Sequence, residues 1–96
     1  MIDFEWDPQK ARKNLKKHGV PFSEAVTVFR DPMAITIHNP DHSHEEDRYL
    51  TTGTSTSGRI LVVAHTDRGE RIRLINARKL TPAEHRAYEH ETKRRR

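Results

Sequence analysis

Apolar residues recur along the chain with two different periods. Phe22, Ala25, Val26 and Phe29 follow the i, i+3, i+4, i+7 spacing of an amphipathic helix, and Asp31-Pro32 closes that segment. Ahead of it, Asp7-Pro8 reads as an N-cap with proline at the first helical position. Gly19 follows His18 as a stop, so residues 8–18 form an earlier helix. That helix is short and basic. Its only apolar residues are Ala11 and Leu15, four apart on one face, and the preceding Phe4 and Trp6 supply the packing it lacks.

From Met33 the period becomes two. Met33, Ile35 and Ile37 alternate with Ala34, Thr36 and His38, which predicts a strand buried on one face over residues 33–39. Residues 39–47 include Pro40 and no apolar side chain, the composition of a solvated loop. A second strand follows over residues 48–52, then a turn at 53–58 (GTSTSG). The unbroken apolar run at 60–64 marks residues 59–65 as a strand covered on both faces, central in the sheet. Asp67-Arg68-Gly69 turns the chain into a fourth strand, residues 71–78. There Arg71 and Arg73 point one way and Ile72 and Leu74 the other, and Ile75 breaks the alternation as a bulge or a fully buried position. Thr81-Pro82-Ala83-Glu84 carries the signature of a capping box and opens a last helix. The fold expected is a small α+β domain over residues 1–92, with two N-terminal helices, a four-stranded antiparallel sheet and a C-terminal helix, followed by a basic tail at 93–96.

Composition narrows the function. No run approaches the roughly 18 apolar residues of a membrane span, and Met1 to Trp6 lack the basic and apolar blocks of a secretory signal, so a cytoplasmic location is expected. Cysteine is absent, which excludes disulfides, thiol nucleophiles and thiolate metal sites. The net charge of +4 is unevenly placed: residues 71–96 hold nine Lys and Arg against three Glu, and the remainder holds nine against eleven acids. A basic C-terminal third implies a polyanionic partner.

Two blocks of sequence resemble a known family. Phe4-Glu5-Trp6-Asp7 before a Lys-rich helix, then Lys17-His18-Gly19-Val20 and Phe22, is similar to the start of BrnT-type toxins. Gly58-Arg59-Ile60-Leu61-Val62-Val63, Thr66 to Gly69, and the stretch from Arg71 to Lys79 resemble that family's second signature, which leads into a Glu- and Arg-rich helix with a tyrosine, here Tyr88. Asn76 and Leu80 depart from it, at positions where serine and a small residue are usual. The resemblance implies a RelE-like fold and cleavage of messenger RNA without a metal or other cofactor, with growth arrest as the result. It also implies neutralisation by a BrnA-type ribbon-helix-helix antitoxin, in a hetero-oligomer that binds operator DNA through the antitoxin.

Metal-free RNA cleavage needs a base for the 2′-hydroxyl, cations for the phosphorane and an acid for the leaving oxygen. Arg71 and Arg73 on one strand face, with Arg78 further on, suit a phosphate clamp, although an ion-paired strand face has the same sequence. His65, at the end of the central strand, is a candidate acid or base, and a core histidine is the plain alternative. Arg48 completes the cation cluster if its strand lies close, or else pairs with Glu45, Glu46 or Asp47. Lys10, Lys13, Lys17 and His18 form a basic helix face for RNA backbone, or a merely solvated one. Tyr88 either stacks on a base or packs in the core, and Glu84 reads as a cap. The loop with His38, Asp41, His42, His44, Glu45, Glu46 and Asp47 holds many potential ligands but no fixed ligand spacing, so no metal site is assigned. A non-catalytic nucleic-acid-binding protein or a basic interaction subunit is the competing reading.

Overall fold

The computed structural model describes residues 2–39 and 47–95. In chain order the elements are β1 (Asp3–Glu5), α1 (Pro8–His18), α2 (Phe22–Ala25) running directly into a 3-10 segment (Val26–Arg30), β2 (Ile35–His38), β3 (Arg48–Thr54), β4 (Ile60–Arg68), β5 (Arg71–Lys79) and α3 (Pro82–Arg94). The five strands form one sheet in the order β1-β5-β4-β3-β2.

The sheet is mixed and five-stranded, where the hydrophobic pattern predicted four antiparallel strands. The added strand is β1, which pairs parallel to β5 with Phe4 opposite Ile72 and Glu5 opposite Arg73. The second helix also differs. A single α-turn at Phe22 gives way to 3-10 geometry over Val26–Arg30, where the β-branched Val26, Thr27 and Val28 disfavour a longer α-helix. α3 extends through Arg94, so Lys93 and Arg94 are helical, and Arg95 caps the helix.

The helix ends behave as their sequences require. Asp7 accepts from the Gln9 amide at 2.8 Å, and Gly19, at φ 70°, donates its N–H to the Leu15 carbonyl. The Thr81 hydroxyl accepts from the Glu84 amide at 3.2 Å, and a Glu84 oxygen accepts from the Thr81 amide at 2.9 Å, completing the capping box.

Val20, Phe22, Ala25 and Val28 pack on Leu61 and Val63 of β4 and on Leu74 and Ala77 of β5, with Phe4, Trp6, Phe29 and Ile72 at the border. Each fully buried leucine contributes about 2–3 kcal/mol by removal from water. Leu15 is not part of this core: half of its surface is exposed, and the residue that α1 buries is Asn14. The Asn14 side-chain amide donates to the Ala77 carbonyl at 2.9 Å and accepts from the Ala77 N–H at 3.0 Å, and it also donates to the Val20 carbonyl. An amide side chain thus takes the place of a neighbouring strand where β1 has ended.

The irregular residue of β5 is a bulge. Ala64 pairs with Asn76 and His65 with Leu74, which leaves Ile75 without a partner across the ladder. The turn after β3 is tied to α2 by Arg59, whose guanidinium binds the Glu24 carboxylate while Ser55 donates to the same group at 2.7 Å.

Candidate functional site

One sheet face packs on α1, α2 and the 3-10 segment. The opposite face is covered by α3 at one end and open at the other. Residues paired across strands share a face, so the registers place each candidate. Arg48 pairs with Thr66, Thr66 with Arg73, and Arg73 with Glu5, which sets these four side chains in one row across β3, β4, β5 and β1 on the open face. Arg71 lies two residues from Arg73 on that face, in the next row beside Arg68. Adjacent strands lie about 4.8 Å apart, so the Arg48 and Arg73 backbones are about 10 Å apart, within reach of a phosphate shared between two long side chains.

The row is partly preorganised. Arg73 donates from Nη1 to a Glu5 carboxylate oxygen at 2.9 Å, and both side chains are about three-quarters shielded from solvent. Thr66 is buried and donates to the Asp47 carbonyl, which fixes the residue just before Arg48. Arg71 is exposed. Three of the predicted arginines therefore come together, and Glu5, which the sequence reading passed over, joins them from a strand 68 residues away.

His65 stands elsewhere. It lies within β4, which continues to Arg68, and its side chain points to the helical face, away from the arginine row. It is 4% exposed, stacked on Tyr49 with ring centroids 5.8 Å apart and met edge-on by Phe29 at 5.0 Å. Nε2 lies 2.7 Å from the Thr51 hydroxyl, which in turn lies 2.7 Å from that of Thr36. Nδ1 is buried without a partner. The ring, Thr51 and Thr36 thus form one short hydrogen-bonded chain whose direction follows the tautomer of His65. Burial lowers the pKa of His65 against a weaker opposing effect of Asp67, and the ring is held neutral.

Arg78 is engaged by α3. Both of its terminal nitrogens donate to the Glu84 carboxylate, at 2.8 and 3.0 Å, and this pair together with the capping box holds the Glu84 pKa down to about 2. Tyr88 is buried, and its hydroxyl donates to Asp31 at 3.4 Å. Burial, reinforced by the Asp31 charge, raises its pKa. Tyr88 thus packs α3 on the molecule, and its ring is not offered to a base. Beneath α3 an apolar groove of about 290 Å³ runs between Ile35, Ile37, Leu50 and Val62 of the sheet and Leu80 and Ala87.

Lys10, Lys13, Lys17 and His18 meet Ile75, Asn76 and Arg78 around a cleft of about 520 Å³ along the uncovered edge of β5. Most of the histidine- and acid-rich loop, residues 40–46, lies outside the described residues. At its ends His38 Nε2 and Asp47 lie 3.2 Å apart.

The sequence profile of the ribonuclease toxin BrnT of type II toxin-antitoxin systems matches residues 6–84, a span that takes in both faces of the sheet and the cleft. The chain belongs to the BrnT toxin family. Family membership implies an antitoxin partner. The fold is similar to that of the Brucella abortus ribonuclease toxin BrnT in its crystal structure. The TM-score is 0.65 at 19% sequence identity, over 84% of this chain and 99% of that one. No curated protein sequence matches the chain. Among the described residues no helix is long and apolar enough to cross a membrane.

Proposed function

We propose that this BrnT family member is a cytoplasmic, metal-independent endoribonuclease that cleaves messenger RNA and arrests growth, and that Arg48, Arg71 and Arg73 on the open sheet face carry the chemistry. The cross-strand row through Arg48, Thr66 and Arg73 is the observation that supports this most. When a 2′-oxygen, its proton passed to water, attacks the adjacent phosphorus, charge builds on the non-bridging oxygens until the bond to the 5′-oxygen breaks, that oxygen takes up a proton from water and a 2′,3′-cyclic phosphate is left. Guanidinium groups fixed in advance around that position lower the barrier without reorganising. Arginine suits the task because its planar fork binds two phosphate oxygens at once and stays charged at every working pH. Glu5 orients Arg73 and lies beside the same phosphate position. Arg78, held by Glu84 at the far end of the face, contributes field and shape more than a free donor.

His65 is assigned a structural role in this scheme, because its ring lies on the other face of the sheet and is held neutral by burial. The partner is a ribbon-helix-helix antitoxin of the BrnA type, which covers the toxin and brings the complex to operator DNA. Inducible expression tests the reading as a whole. Growth arrest that is relieved by co-expression of a BrnA-type ribbon-helix-helix protein, and that disappears with Arg73→Ala in a folded toxin, supports it. Unimpeded growth with full-length folded protein contradicts it.

A further inference from the structure

β1 ends at Glu5, opposite Arg73, so among the described residues no strand covers the edge of β5 beyond that point. α1 lies along this edge instead, pinned by the Asn14–Ala77 exchange of hydrogen bonds. Helix and edge together bound the cleft lined by Lys10, Lys13, Lys17, His18, Asn76 and Arg78, with Ile75 of the bulge as its apolar contribution. Among the described residues no carboxylate lines it, and α1 carries none at all. The three lysines are exposed and take part in none of the ion pairs among the described residues. At 1.5 Å rise per residue their stems step along the helix by about 4.5 and 6 Å, a repeat comparable to that of phosphates along a nucleic-acid strand.

The cleft is continuous with the arginine face. Asn76 pairs with Ala64 and Arg78 with Val62, so both belong to the face that carries Arg73, and both also line the cleft. Asn76 lies three residues along the strand from Arg73, about 10 Å away. We propose that the cleft is the path of the single-stranded RNA flanking the scissile phosphate, gripped through its backbone. The inference rests on the ribonuclease reading above and extends it from the reacting phosphate to its neighbours. Among the described residues no Phe, Tyr or Trp lines the cleft and the His18 imidazole is its one ring, so the grip discriminates little between bases and depends strongly on salt.

The test is direct binding to fluorescent 2′-O-methyl RNA, which cannot be cleaved through its 2′-position, so that affinity is read whether or not the protein proves to be a nuclease. Lys13→Ala/Lys17→Ala is compared with wild type on strands of about twelve and about three nucleotides across a salt series, with thermal unfolding as a control for folding. The double variant is expected to lose about tenfold in affinity for the longer strand and to lower its salt slope by about 1.4, two phosphate contacts' worth. The loss on the short strand is expected to be several-fold smaller. Lys13→Arg/Lys17→Arg is expected to restore the longer strand. Unchanged affinity and slope on the longer strand overturn the proposal, and so does an equal loss on both lengths. A variant that keeps RNA affinity but loses its antitoxin overturns it too, because the cleft is then a protein-docking surface.

Discussion

Asn14 and Ala77 exchange two hydrogen bonds, 2.9 and 3.0 Å long, between a helix side chain and a strand backbone. The same amide also serves the Val20 carbonyl. Replacing Asn14 with alanine leaves three buried backbone groups without partners. A buried unsatisfied group costs about 1–3 kcal/mol, and relaxation recovers part of the total, so a loss of about 3 kcal/mol is predicted. In thermal unfolding that corresponds to a fall of the order of 10–20 °C. Asn14→Asp is predicted to be no better, since a carboxylate cannot donate to Ala77 or Val20.

Gly53 is fixed by space. A Cβ at this position in β3 would lie 3.0 Å from the Ala34 Cβ, 3.1 Å from Val28 Cγ1 and 3.2 Å from Asp31 Oδ2. Asp31 cannot easily give way, because its carboxylate accepts from the Thr54 and Met33 amides, each at 2.8 Å. Gly53→Ala is therefore predicted to cost about 1–3 kcal/mol through overpacking, measured by chemical denaturation. Thr54→Ala, whose side chain is exposed, is predicted to change stability far less.

The buried His65 makes stability depend on mild acid. Its folded pKa lies below the ordinary 6.5, so the unfolded chain binds the proton more readily. Stability is then level above that value and falls as the pH drops below it toward the lowered folded value. His65→Gln keeps a hydrogen-bonding partner for Thr51 but does not titrate, and it is predicted to flatten the decline between pH 7 and pH 5.5. An equal decline in the variant would place the titration on another group.

Glu84 acts at lower pH and with its own sign. Its pKa falls from 4.5 to about 2 on folding, so its contribution is complete above the ordinary carboxylate range and is lost as the pH falls toward 2. The stability difference between wild type and Glu84→Gln is predicted to be present at pH 7 and to shrink steadily between pH 4.5 and 2.5, as read by thermal unfolding.

The elements easiest to read from the sequence were those whose signals are local. The capping box at Thr81 and Glu84, the Gly19 stop and the break at Ile75 all appear where their residues predicted them. β1 was not legible, because three residues give no period and the partner strand lies 68 positions away. Asn14 looked like one more polar residue on a charged helix, and only the end of β1 makes its burial useful. At the site, the alternation of β5 put Arg71 and Arg73 on one face, and Arg48 joined them once its strand paired with β4. His65 seemed close to them along the chain, but the pairing register turns it to the opposite face. The lysines of α1 were visible as a basic face, whereas the cleft they line depends on where β1 stops.

The arginine row is tested most directly by incubating purified protein with RNA in EDTA, wild type beside Arg71→Ala/Arg73→Ala, and resolving the products on a denaturing gel. Removing one transition-state donor typically costs about 10²–10³ in rate, so the wild type is predicted to cut and the double variant to leave the RNA intact over the same period. Cleavage that stops in EDTA and returns with a divalent cation, or a folded variant that cuts at the wild-type rate, would contradict this account.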